Sequence, residues 1–180
     1  MGLFVQPELL LLAGLFFALD RGGQLAPCLL AAALHELGHA LAVALAGGSI
    51  LCLKLGTSGA AMETTPLSYR REAMCALAGP AVGLGLLLVR HRVPWLSLWG
   101  LVQSLYNLLP IYPLDGGRAL RALLLQHLPL ERGETVSRLC SWCALALVTA
   151  GAAYASIGLR LGLLPMALAG ILTIRALRAQ

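Results

Sequence analysis

The hydrophobic positions of this chain form long uninterrupted runs instead of the short stripes of a water-soluble protein. Six runs of about 16 to 21 residues are long enough to cross a bilayer as helices. They extend over Leu3 to Leu19, Pro27 to Gly47, Arg71 to Val89, Pro94 to Leu109, Thr135 to Ala155 and Leu159 to Leu177. The pattern predicts an all-α membrane protein with about six transmembrane helices.

One stretch between the second and third runs has a different period. Apolar Leu51 and Leu53 alternate with Cys52 and Lys54, and residues 56–59 supply a glycine-containing turn. This pattern predicts a short β-hairpin within residues 49–66. Because an open sheet edge cannot face lipid, we expect the hairpin at the cytoplasmic interface or lining a cavity.

Composition and charge support membrane insertion. Hydrophobic residues make up 59% of the 180 residues and charged residues only 12%. The 13 Lys and Arg residues lie in short clusters between the apolar runs, so the net charge of +5 does not indicate nucleic-acid binding. With six helices, nine of these cations fall on the side of both termini and four on the other. The positive-inside rule then places both termini in the cytoplasm.

The cysteines and the N-terminal run each allow a second interpretation. Cys140 and Cys143 form a C-x-x-C pair, but their apolar surroundings favour small buried side chains over a redox or zinc site. The first 19 residues could be a signal peptide. No Lys or Arg precedes the apolar run and Pro27 directly precedes Cys28, so we interpret the segment as a helix.

The second apolar run contains the motif H-E-x-x-H. His35 and His39 are four residues apart, so both imidazoles project from one face of a helix and can bind one metal ion. In proteases with this motif, Glu36 is the general base. The alternative is two histidines packed by chance in a core. Ionisable residues inside a membrane helix are costly unless they are functional, which favours the metal site.

A hydrolytic zinc site commonly has a third protein ligand, and Asp115 is the best candidate. It follows Pro110 and Pro113 and precedes Gly116 and Gly117, so the chain can turn a carboxylate inward there. Runs two and four cross the membrane in the same direction, so the three ligands could converge in its cytoplasmic half. Taken alone, Asp115 would more often be an ordinary turn residue, whereas beside H-E-x-x-H the metal ligand is favoured.

The chain resembles the site-2 protease family of intramembrane zinc metalloproteases. That family has H-E-x-x-H in one membrane helix and N-x-x-P-x-x-x-L-D-G near the end of a later one. The second signature is matched by Asn107, Pro110, Leu114, Asp115 and Gly116, and the small residues between the signatures by Ala78, Gly79 and Pro80. Within the family, the chain is most similar to compact members of the stage IV sporulation protein FB type.

The resemblance implies a zinc metalloendopeptidase with one Zn²⁺ per chain. It implies cleavage of a membrane-associated or single-span protein within or next to the bilayer, as in regulated intramembrane proteolysis. Asn107 would position the substrate or stabilise the developing oxyanion. The hairpin would pair with the substrate main chain or serve as a structural connector. A bacterial cell membrane is the expected location, and a regulatory membrane protein is a further candidate partner.

We expect residues 1–180 to form one intramembrane domain. Larger relatives carry PDZ or CBS domains. Here no loop between helices is long enough for a PDZ domain, and we expect no CBS domain within residues 1–180. Two other functions fit parts of the pattern: a zinc transporter, which would need more ligands along a path, and an inactive scaffold. The oligomeric state is open at the level of sequence.

Overall fold

The computed structural model describes residues 2–5, 14, 18, 20, 22–56, 59–160 and 162–179. The chain forms two compact units, Met1–Asn107 and Leu108–Gln180, and each is described by itself. Most of the first predicted span, Leu3 to Leu19, lies outside the described residues. Of its described positions, Gly14 and Ala18 are helical, whereas its start belongs to a strand.

The first unit is built on helices α1 (Leu25–Leu45), α2 (Tyr69–Gly85) and α3 (Pro94–Asn107), and α2 continues into a 3₁₀ turn at Leu86–Val89. The Asp20 carboxylate accepts hydrogen bonds from the N–H groups of Gln24 and Leu25, at 3.0 and 2.8 Å. It thereby caps the start of α1. These bonds, with that from Leu25 the strongest, hold the pKa of Asp20 below its usual range.

Helices α2 and α3 cross closely because small residues meet at the crossing. A Cβ atom added at Gly83 would lie 2.8 Å from the carbonyl oxygen of Gly100, and the Ser104 hydroxyl donates to the carbonyl of Pro80 at 3.0 Å. Such contacts are typical of helix packing in membranes. The crossing holds the middle of α2 in place, and residues 75–79 of this helix contact the H-E-x-x-H motif of α1.

A three-stranded sheet accompanies these helices, in the order β1 (Gly2–Val5), β2 (Ile50–Gly56) and β3 (Gly59–Thr64). Strands β2 and β3 are antiparallel, which confirms the predicted hairpin. Strand β1 pairs in parallel with β2, with Gly2 opposite Cys52. The expectation that the first helix begins at Leu3 is therefore wrong. This long-range strand pairing satisfies the main chain there in place of helical hydrogen bonds.

The second unit consists of α4 (Asp115–His127), α5 (Leu130–Ile157) and α6 (Leu164–Ala179). Helix α4 is not predicted by the apolar runs, because its polar residues leave only a narrow buried face that includes Ala119, Ala122 and Leu125. The Arg121 side chain forms a two-point ion pair with Glu134, which ties α4 to α5.

Among the described residues, three helical segments are long and apolar enough to cross a membrane: Leu25–Leu45, Tyr69–Val89 and Leu130–Ile157. Leu37, Leu41 and Leu45 form an exposed row along α1, which suits contact with lipid. These features confirm a membrane protein. Helices α3 and α6, with 14 and 16 residues, are shorter than their predicted spans. The orientation of the termini stays a prediction.

Candidate metal centre

His35 and His39 lie one helical turn apart on the buried face of α1. Their Nε2 atoms are 3.1 Å apart, and their rings meet edge to face with centroids 4.8 Å apart. Both side chains are buried, whereas Leu37 on another face of the helix is exposed. The structure therefore brings the two predicted nitrogen ligands together inside an otherwise apolar helix.

A main-chain carbonyl orients the second histidine. The Nδ1 atom of His39 lies 2.7 Å from the carbonyl oxygen of Cys75 in α2. Since a carbonyl only accepts, Nδ1 carries the proton and donates, and Nε2 of the neutral ring keeps its lone pair. Orientation by such an outer partner is usual for metal-binding histidines. Sequence reasoning missed Cys75 because a main-chain carbonyl has no signature in the sequence.

Two glycines allow the backbone of α2 to approach the histidines. A Cβ atom at Gly38 would lie 2.9 Å from the carbonyl oxygen of Ala78. A Cβ atom at Gly79 would lie 2.3 Å from Nε2 of His39 and 2.7 Å from Nε2 of His35. Only glycine at position 79 therefore lets the backbone of α2 lie this close to both nitrogens. In the sequence, this role is indicated only by the run of small residues Ala78-Gly79-Pro80.

This donor set fits zinc. Zinc is commonly bound by neutral imidazole nitrogens at about 2.0–2.1 Å in tetrahedral geometry, which places two such nitrogens roughly 3.3 Å apart. The observed separation of 3.1 Å is close to that value. The pair therefore has the donor atoms and the spacing that a zinc ion requires.

The first unit also contains the two predicted catalytic residues, Glu36 and Asn107. Glu36 directly follows His35 on α1 and is half-buried. Asn107 is the last residue of α3 and is also half-buried. Neither side chain therefore belongs to the fully buried core.

Asp115 belongs to the second unit, where it is the first residue of α4 and is buried. A Cβ atom at Gly116 would lie 2.2 Å from the carbonyl oxygen of Leu108, and one at Gly117 would lie 2.4 Å from the carbonyl carbon of Ile111. These glycines were expected to permit a sharp reversal. Instead they lie inside the first turn of α4, where the preceding loop packs main chain against main chain.

Buried apolar side chains anchor the same loop. Ile111 is fully buried and Leu114 is 3% exposed. The main-chain N–H of Tyr112 donates to the Ser141 hydroxyl at 3.2 Å, and that hydroxyl donates to the carbonyl of Ser137 at 2.9 Å. Asp115 is therefore held by a loop that packs on its own helix and is fastened to α5.

The sequence was compared with protein-family models and with curated proteins, and the relatives found include zinc metalloproteases. No protein-family model matches the chain. It is 36% identical over 132 residues to Rip3 of Mycobacterium tuberculosis, and this alignment covers 62% of this chain and 33% of Rip3. It is 33% identical over 105 residues to the zinc metalloprotease MJ0392 of Methanocaldococcus jannaschii, covering 51% and 31%. It is 28% identical over 153 residues to stage IV sporulation protein FB of Bacillus subtilis, covering 77% and 53%.

The fold has a counterpart among solved structures. The site-2 protease from Methanocaldococcus jannaschii matches with a TM-score of 0.67 and 22% identity, covering 99% of this chain and 91% of that one. The alignments with the curated relatives span from about a third to about half of those proteins' lengths. These comparisons confirm the predicted resemblance to the site-2 protease family. The solved structure supports it in fold, and the alignment with the zinc metalloprotease MJ0392 supports it in sequence.

Proposed function

We propose that this protein is an intramembrane zinc metalloprotease that hydrolyses a peptide bond of a membrane-associated or single-span protein. One observation carries the proposal: the Nε2 atoms of His35 and His39 lie 3.1 Å apart on the buried face of α1, a helix whose only other acidic or basic residue is Glu36. A buried pair of imidazoles at this separation is suited to a metal ion. Glu36, adjacent in sequence, is the acid that the motif assigns to proton transfer.

We propose Asp115 as the third ligand of a single zinc ion. Its support is chemical and local: a carboxylate is a common third ligand beside two histidines. In the second unit, the loop at residues 108–114 and the glycines that follow hold this buried carboxylate at the start of α4. Holding a ligand on a packed turn reduces the entropy lost when it binds.

The chain's own residues have separate roles in the reaction. When bound, zinc would supply a Lewis acid that lowers the pKa of water and polarises a carbonyl. Glu36 accepts a proton from the attacking water and returns it to the nitrogen of the leaving amide. The Asn107 side-chain amide donates a hydrogen bond to the substrate carbonyl oxygen as charge develops on it. The Cys75 carbonyl keeps His39 in the required tautomer.

The sheet is the proposed contact for the substrate. Strand β2 is central, so β3 is an edge strand whose outer main-chain groups could pair with an extended peptide. Such pairing would unwind a helical segment, which a protease requires before cleavage. The setting we propose is a bacterial cell membrane with both termini in the cytoplasm.

The test uses purified full-length protein in detergent with a single-span membrane substrate. Glu36→Gln should retain zinc and lose cleavage by at least about a hundredfold, because general-base catalysis contributes about 10²–10⁴. Asp115→Ala should lose zinc as well as cleavage. Glu131→Gln, an exposed acid of α5, is the matched control and should behave as the parent. Normal cleavage by Glu36→Gln would refute the assignment.

A further inference from the structure

The second unit contains a polar cavity that the proposed protease chemistry does not use. It has a volume of about 400 Å³ and lies between the loop before α4 and helices α4, α5 and α6. Its lining includes Tyr112, Arg121, Glu134, Ser137, Arg138 and Ser141. A cavity of this size is large enough for a small molecule or a lipid headgroup.

The charge of the lining favours an anion. Of the described side chains that form its walls, two are arginines and one is a glutamate. Glu134 is already engaged by Arg121 through two hydrogen bonds, so the opposite charges of that pair offset each other. Arg138 lies one turn after Glu134 on α5 and is exposed, so it adds a second guanidinium group to the lining.

The polar groups of the lining are mainly hydrogen-bond donors. Besides the two guanidinium groups, Tyr112 contributes a phenol and Ser137 a hydroxyl. Guanidinium groups match the oxygens of phosphate in geometry as well as in charge. Since the cavity is considerably larger than a carboxylate, a phosphate group with a small substituent fits its volume and its chemistry.

The position of the cavity along α5 places it near the membrane surface. The charged residues of α5 all lie within residues 131–138, whereas residues 139–157 carry no charged side chain. An uncharged run of this length crosses most of a bilayer core. Arg138, which directly precedes this run, would then lie at the level of the phospholipid headgroups. Basic pockets between helices bind anionic lipids at this level.

We propose that this cavity binds a phosphate group, carried either by an anionic phospholipid or by a small soluble phosphate ester. Tyr112 lines the cavity, and its main-chain N–H is held by Ser141 in the same wall. A bound phosphate would therefore fix the loop that leads to Asp115. That consequence for catalysis rests on the proposed function, whereas phosphate binding does not.

The test measures binding to the full-length protein without reference to cleavage. In detergent, inorganic phosphate and glycerol phosphate are titrated, with acetate as the comparison anion. In a second arm, the protein is released from mixed vesicles of phosphatidylglycerol and phosphatidylcholine, and retained lipid is counted by native mass spectrometry. Saturable binding of the free phosphates supports a soluble ligand, and selective retention of phosphatidylglycerol supports a lipid headgroup.

Variants connect the binding to the cavity. Arg138→Gln should raise the dissociation constant at least about tenfold by removing a charge-assisted hydrogen bond. Arg138→Lys should retain part of the affinity. Arg132→Gln, at an exposed arginine of α5 outside the lining, is the matched control and should bind as the parent. Equal binding by the Arg138→Gln and Arg132→Gln proteins, binding of acetate as tight as that of phosphate, or no binding in either arm would overturn the proposal.

Discussion

Replacing Gly79 with alanine should disable the metal site through a single methyl group. Its Cβ atom would lie 2.3 Å from Nε2 of His39 and 2.7 Å from Nε2 of His35. Non-bonded carbon contacts are about 3.5 Å, so the His39 ring would have to retreat by roughly 1 Å. That movement would stretch the 2.7 Å hydrogen bond between His39 and the Cys75 carbonyl.

The expected change in the free energy of unfolding combines strain, a weakened hydrogen bond and the better helix propensity of alanine. Overpacking costs about 1–3 kcal/mol, and an unsatisfied buried carbonyl costs about 1–3 kcal/mol more. Alanine is more favourable than glycine in a helix by about 1 kcal/mol. We expect the free energy of unfolding to fall by about 1–5 kcal/mol. Zinc affinity should fall at least about a hundredfold, because metal-ligand distances tolerate only about 0.2 Å of change.

The assay is zinc content after dialysis against a competing chelator, together with thermal unfolding in detergent. Two variants of the same helix separate local from general effects. Gly85→Ala adds a methyl group where no atom lies within 4 Å, and it should bind zinc normally. Gly83→Ala places a methyl group 2.2 Å from the Ser104 hydroxyl, so it should reduce stability with a smaller effect on zinc. Parental zinc affinity in Gly79→Ala would refute the geometry.

Three further predictions concern other parts of the chain. Gly116→Ala should lower thermal stability and zinc content, because its Cβ atom would lie 2.2 Å from a main-chain oxygen that cannot rotate away; unchanged melting and zinc content would contradict this. A chelator should lower the melting temperature, since a ligand present at 100 times its dissociation constant contributes about 2.7 kcal/mol; an unchanged melt after confirmed zinc loss would argue against it. The pKa of Asp20 is lowered in the folded state, so its stabilisation is present above the unfolded pKa and lost as pH falls through the folded value. Asp20→Asn, which can still cap α1, should therefore weaken the pH dependence of melting below about pH 5, whereas an identical profile would contradict the capping role.

Local patterns predict much of this protein. Apolar runs predict the helices containing His35 and Cys140, and alternation predicts the hairpin around Lys54, because both depend on neighbours in the sequence. The strand at Gly2–Val5 is not predicted, since its partner lies about fifty residues later in the chain. Helix α4 is missed for another reason, as a short helix with many polar residues produces no long apolar run.

By itself, the sequence determined the chemistry of the candidate site. Spacing of four residues places His35 and His39 on one face of any helix, and the cost of burying them in an apolar span indicates a function. Only the tertiary structure decided what surrounds them. The carbonyl of Cys75 orients His39, and Gly79 lets the backbone of α2 lie close to both nitrogens, because α2 packs against α1 at those points. Contacts between helices depend on three-dimensional packing, which periodicity along one chain segment does not encode.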